Sequence, residues 1–206
     1  MTWGDIQLLA VQKMFLNTNI ITVDDLVTMR TDKKYATYLN AMPMTANECI
    51  RIMLTRGKPY IKMYNLTTEN VDATLTDDNN YCFDLQNLLP DYRSVTNMFS
   101  GTKESHDYIL RFNRYLYVPR HIIDNGNIQL GYASYPEPLS ALTADNYKID
   151  LPIDMINIIP LYLAGELYKD DDVSLATMYR NEFEAELEAM THDNNYEEFT
   201  SVNGWL

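Results

Sequence analysis

From its first residues the chain repeats apolar positions at helical spacing. Ile6, Leu9, Ala10, Lys13 and Met14 share one face, with the lysine carrying its charge outward, and this predicts a helix over residues 4–16. Asn17 and Asn19 end it. Thr22 then stands as N-cap for VDDLVTM, where Asp24 and Asp25 suit the positive helix end. KKYATYLNAM runs to Pro43. Beyond it, Thr45 and Glu48 have capping-box spacing. A fresh helix is expected there, with Cys49, Ile52 and Met53 on one face and Gly57 and Pro59 closing it. Residues 1–58 thus read as short helices that need the rest of the chain, or a neighbour, to bury a core.

The period changes after residue 59. YIKMYNL, VDATLT, YCFDL, YILRFN, YLYV and IQLGYAS are short runs rich in aromatic and β-branched residues. Apolar residues alternate at Tyr108, Leu110, Phe112 and at Ile128, Leu130, Tyr132. Asn125-Gly126 carries a hairpin signal, since both positions tolerate positive φ. LQNLLPDYRSVTNMF reads as a turn of helix and a connecting loop, and Gly101 to Asp107 as an exposed loop. Residues 59–138 are therefore expected to form an antiparallel β domain of four to six strands.

Helical spacing returns near the end. Pro136 and Pro138 stiffen the exit from the strands, and a connector leads to Pro152, which suits a first helical turn. Ile156, Ile159, Leu163 and Leu167 form one stripe, with Pro160 expected to kink or restart the helix. Leu175, Tyr179, Phe183, Leu187 and Met190 form a second stripe, with Asp172 as N-cap. Two such helices joined by Asp170–Asp172 predict an antiparallel hairpin within residues 139–192. Residues 193–206 read as an extended polar tail. The fold class expected is α+β: N-terminal helices and a C-terminal hairpin forming a helical core, a central β domain, and that tail.

Charge sharpens this picture. The net charge is −13 over 206 residues, and all of it falls in residues 121–206, with 16 acidic and 3 basic side chains. The first 120 residues balance at 13 of each sign. An acidic half repels nucleic-acid phosphate, so it fits either a surface past which DNA slides or a solvated face. Tyrosine occurs 16 times against 6 phenylalanines, which suits buried interfaces or reflects a compositional habit. Cys49 and Cys82 read as small core residues of a reducing compartment, with a single disulfide between them as the alternative. The opening MTWGDIQLLAVQKMF has neither the basic nor the long apolar region of a signal peptide, and no apolar run approaches the ~18 residues of a membrane helix.

Catalytic patterns are sparse. His106, His121 and His192 belong to no H-E-x-x-H, and no G-x-S-x-G, Walker A or G-x-G-x-x-G occurs. Asp170–Asp172 suits a turn and a helix cap better than a metal site, because consecutive side chains diverge. No catalytic residue, metal or cofactor is expected. Arg111 and Arg114 flank Tyr115 and Tyr117, a pattern suited to stacking on bases or, more readily here, to contacts between subunits. Phe199 and Trp205 on the polar tail read either as anchors for a partner or as residues packed on their own domain. Arg114, Tyr115, Tyr117, Phe199 and Trp205 are therefore the candidate interface residues.

The run IDLPIDMINIIPLYLAGELYKDDDVSLATMYRNEFEAEL resembles the closing helices of head-to-tail adaptor, or connector, proteins of tailed bacteriophages. The resemblance rests on Leu151, Pro152 and Asp154 at the helix start, then on Ala164, Glu166, Leu167 and Tyr168. The acidic turn and Ala176, Tyr179, Phe183 and Leu187 complete it. LNAMPMTANECIRIML is similar too, and the central strands fit the podovirus-like branch, which carries a β insertion. The resemblance implies a non-enzymatic virion protein of the neck. It would be a homo-oligomer, a ring of about twelve copies, between portal protein and tail or nozzle proteins. Packaged DNA would pass through its channel without sequence-specific binding, with no membrane involved. The alternatives are another neck or tail-completion protein, or a small partner-binding regulator.

Overall fold

The computed structural model describes residues 1–15, 22–57 and 59–192. The chain is α+β and divides into two compact units, one of Met1–Lys58 with Glu137–Leu206 and one of Pro59–Pro136.

The first unit is helical. Helix α1 (Trp3–Phe15) opens with a reciprocal cap: the Asp5 amide donates to Thr2 Oγ1 at 3.3 Å, and the Thr2 amide donates to the Asp5 carboxylate at 2.7 Å. A short helix α2 (Asp25–Met29) precedes α3 (Lys33–Arg56), which Asp32 caps by accepting from the Lys34 amide at 2.9 Å. Here the sequence expectation fails. Helix α3 is one continuous helix of 24 residues with Pro43 inside it, and Thr45 does not start a second one. The Thr45 hydroxyl instead donates back to the Ala41 carbonyl at 3.1 Å. A proline in mid-helix costs about 3 kcal/mol. The buried stripe Leu39, Met42, Ala46, Cys49, Ile50 and Met53 runs straight through it, and burial of that stripe offsets the loss.

Helix α6 (Ile153–Leu167) is the centre of this unit, with α1, α3 and α7 (Val173–His192) packed on it. Its first turns leave Ile153, Asp154 and Asn157 exposed, but from Ile158 to Gly165 it is buried on every face. Pro160 neither breaks nor restarts it. Asp172 caps α7 by accepting from the Leu175 amide at 2.9 Å. Of the expected stripe, Tyr179, Phe183 and Leu187 are buried and Leu175 and Met190 half-buried, with Ala176 buried beside them. Tyr162 meets Phe183 while Glu166 meets Arg180, so the two helices run antiparallel. Gly165 allows the close approach: a Cβ there would lie 3.2 Å from the Arg180 backbone nitrogen and 3.3 Å from the Ala176 carbonyl. The connector is pinned by backbone bonds from Trp3 to Tyr147 and from Gly4 to Asp145, each 2.8 Å. The Asn47 amide exchanges two further bonds with Leu139, also at 2.8 Å.

The second unit is two antiparallel sheets over one core. The larger has strand order β1 (Ile61–Leu66), β7 (Ile128–Ser134), β3 (Tyr92–Ser100), β4 (Lys103–Glu104). The smaller runs β2 (Asn80–Asp84), β6 (Tyr115–Pro119), β5 (Ile109–Arg111). Leu66, Met98 and Leu130 from one and Phe83, Leu116 and Val118 from the other meet in the interior. Short helices α4 (Leu85–Leu88) and α5 (Arg120–Asp124) join strands.

Several expectations change. Among the described residues this unit has seven strands rather than the four to six expected, and β4 lies within the stretch expected as an exposed loop. The stretch from Tyr92 to Ser100 is a nine-residue strand, not a connecting loop. Register shifts at Tyr92/Ser94 and Val95/Asn97 break its alternation, which hides it from a period-two reading. VDATLT is not a strand. Asp72 takes its own Thr74 amide at 2.9 Å, and Thr76 Oγ1 takes the Cys82 amide at 3.1 Å, so side chains satisfy the backbone there. Asn125-Gly126 closes α5 and leads into β7, which pairs in the other sheet from β6. Gly126, at φ 78°, ends a helix rather than turning a hairpin.

Candidate functional site

The sequence candidates Arg114, Tyr115 and Tyr117 converge on the hairpin that links β5 to β6. Arg111 pairs with Tyr115, and the Arg114 amide donates to the Arg111 carbonyl at 3.1 Å. The two residues at the tip, Phe112 and Asn113, have φ of 55° and 50°. Asparagine tolerates this region. Phenylalanine does not favour it, and the strain is of order 1 kcal/mol.

What holds Phe112 there is a set of bonds around it. The Asn113 side chain donates to the Arg93 carbonyl at 2.8 Å and accepts from the Tyr92 hydroxyl at 2.9 Å. The Arg114 guanidinium grips the nearly buried Asp84 through Nε at 2.8 Å and Nη2 at 2.6 Å. That bond, opposed in part by burial, keeps the Asp84 carboxyl below the usual aspartate range. The Arg114 carbonyl also accepts from the Leu85 amide at 2.9 Å. Phe112 itself is 89% exposed. The tip thus presents a large apolar ring on a fixed backbone.

Tyr115 and Tyr117 lie on the face of β6 opposite the buried Leu116 and Val118. Arg114 stacks over the Tyr115 ring at 4.9 Å and Arg111 over Tyr117 at 5.0 Å. The structure therefore brings three of the five candidates together, with Arg114 already engaged within its own chain. Phe199 and Trp205 lie outside the described residues. Sequence reading put Phe112 on the alternating face with Tyr108 and Leu110; the structure ends β5 at Arg111 and leaves Phe112 exposed at the tip. The signal was the asparagine that follows it, a residue that tolerates positive φ.

A second feature lies in the helical unit. Phe15, from the end of α1, meets Tyr35 edge-on at 4.8 Å, and Tyr38 and Tyr168 each at 5.4 Å. The rings of Phe15, Tyr38 and Tyr168 wall a half-open cleft of about 590 Å³. Lys33 and Lys34 line it, with the Lys34 ammonium 4.9 Å from the Phe15 ring centre. Asp170 and Asp171 line it too. The Tyr38 hydroxyl donates to Asp171 at 2.6 Å, and this bond pushes the phenol up to about 12. The rings come from three distant segments, so no local pattern announced the cleft.

Among the described residues, no group of three or more His, Cys, Asp or Glu side chains is placed to hold a metal ion. His106 and His121 are exposed, and the side chain of His192 lies outside the described set. Of the acidic turn, Asp171 takes the Tyr38 hydroxyl and Asp172 caps α7. Cys49 and Cys82 are free and buried, and burial pushes the Cys49 thiol well up. No described helix is long and apolar enough to cross a membrane. No family model matches the chain, and no curated protein matches it.

Proposed function

We propose that the chain is a structural subunit of a phage virion, a head-to-tail adaptor that assembles into a ring between portal and tail. The observation that carries this reading is the organisation of the residues behind the resemblance. Ala164, Ala176, Tyr179, Phe183 and Leu187 are buried in the helical unit, Phe183 meets Tyr162 across the α6–α7 contact, Glu166 pairs with Arg180, and Asp172 caps α7. The resemblance is thus a packing pattern that this chain uses as one.

Two further observations support an assembly role. Phe112 is offered to solvent on a constrained hairpin, as an anchor for a partner would be. Glu182, Glu186 and Glu188 are exposed on α7, a surface that packaged DNA would not adhere to. On this reading the protein acts in the virion neck and carries out no reaction.

Native mass spectrometry of the purified chain, alone and with its matching portal protein, tests this. A discrete species near twelve copies is expected. A chain that stays monomeric or dimeric in both conditions overturns the adaptor reading and favours a regulator with a single partner.

A further inference from the structure

We propose that the aromatic cleft beside Phe15 receives residues 196–199, centred on Phe199, of a second copy of this chain. The inference rests on the reading that the protein assembles with itself.

The cleft asks for a particular ligand. Its walls are the rings of Phe15, Tyr38 and Tyr168, which favour another aromatic side chain. Its volume, about 590 Å³, is ample for one. Lys33 and Lys34 are exposed in its lining, in the first turn of α3, where the helix end already favours negative charge. Asp170 and Asp171, also in the lining, repel it. The fitting occupant is therefore an aromatic residue preceded or followed by carboxylates, oriented with them toward the lysines.

The chain contains such a segment. Residues 193–206 read DNNYEEFTSVNGWL, with Tyr196, Phe199 and Trp205, three carboxylate side chains and no lysine or arginine. Glu197 and Glu198 directly precede Phe199.

Geometry favours a second copy over the same one. Asp170 and Asp171 immediately precede α7, so the cleft lies at the start of that helix, while the segment continues from its end. Twenty residues of helix span about 30 Å. Residues 193–199, fully extended, span at most about 25 Å, so Phe199, the aromatic residue beside Glu197 and Glu198, falls short of its own cleft before any detour; Trp205, at up to about 47 Å, does not, so the choice of a second copy rests on Phe199. Donor and acceptor at opposite ends of one helix make a head-to-tail contact. Repeated, such a contact closes into a ring or runs on as a filament.

Two full-length variants test this by complementation. One is Lys33→Glu with Lys34→Glu, both at exposed positions. The other is Phe199→Ala with Trp205→Ala. Sedimentation velocity should show self-association at least about tenfold weaker than wild type in each alone. An equimolar mixture should form heterodimers and nothing larger, because each variant supplies one half of the contact. Wild-type association in either variant, or a mixture no more associated than its parts, overturns the proposal.

As a second measurement, a fluorescein-labelled peptide of residues 193–206 should raise its anisotropy on the Phe199→Ala, Trp205→Ala chain. The rise should be lost when Lys33→Glu and Lys34→Glu are added. Unchanged binding there also overturns it. A ring that persists in the Phe199→Ala, Trp205→Ala variant removes this docking and leaves the adaptor reading standing. Complementation with no ring alone or with portal does the reverse.

Discussion

Asp84 accepts both arms of the Arg114 guanidinium, and the pair ties the β5–β6 hairpin to the end of β2. Its pH dependence follows from the depressed carboxyl. The stabilisation is fully present above the unfolded aspartate value, about 3.9, and is lost as pH falls through the lower folded value. Asp84→Asn should therefore melt below wild type at neutral pH, with the gap closing as the pH is taken down past that range. Melting followed by circular dichroism at several pH values measures it. A gap that stays constant into strong acid would show that the charged pair contributes nothing.

Tyr38 gives the opposite sign at the other end of the scale. Its phenol is held protonated by the bond to Asp171, so the stabilisation is present below the ordinary tyrosine value near 10. It is lost as the pH rises toward about 12. Tyr132 is also pushed up to about 12, chiefly by burial and then by Asp91. Ultraviolet titration of Tyr38→Phe should show a smaller late-titrating step than wild type. An unaltered late step would mean that Tyr38 ionises with the exposed tyrosines.

The α6–α7 contact should be the most sensitive part of the helical unit. Phe183 is fully buried, 5.0 Å from the Tyr162 ring, and Phe183→Ala should cost about 3–5 kcal/mol in urea unfolding. Gly165 separates two opposing effects. Alanine gains up to about 1 kcal/mol of helix propensity, but its methyl meets the α7 backbone at 3.2 Å. These nearly cancel, so Gly165→Ala should sit close to wild type. Gly165→Val, with branches that cannot be absorbed, should lose about 1–3 kcal/mol. A neutral valine would show that the helices are not in close contact there.

How much of this was legible in the sequence depended on whether one period ran unbroken. Helix α7 was, because Tyr179, Phe183 and Leu187 recur on one face. In α6 the expected stripe was only part of the truth, since the stretch from Ile158 to Gly165 is buried all round and has no polar face to mark its orientation. Strand β3 was hidden by two bulges, and α3 was cut in two by a proline that tertiary packing overrides. Gly126 shows the same limit. Its positive φ was foreseeable, but a helix end and a hairpin use it equally well. Of the interface candidates, Arg114 could not be recognised as taken, because Asp84 lies 30 residues away in sequence. Phe15, Tyr38 and Tyr168 are more widely separated still.

Phe112 offers the sharpest separation of fold from function. The left-handed backbone there disfavours a phenylalanine, whereas asparagine adopts it at little cost. The ring is 89% exposed and so gains almost nothing from burial in the isolated chain. Phe112→Asn should accordingly raise the stability of the subunit by a fraction of a kcal/mol up to about 1 kcal/mol. If the ring is an anchor for a neighbouring protein, the same change should weaken assembly, because the strain is retained for the sake of the contact. Melting and native mass, measured on one preparation, read both effects. A more stable variant that assembles as well as wild type would leave Phe112 without a role in the interface. A less stable one would mean that the ring packs against something in its own chain, contrary to its exposure.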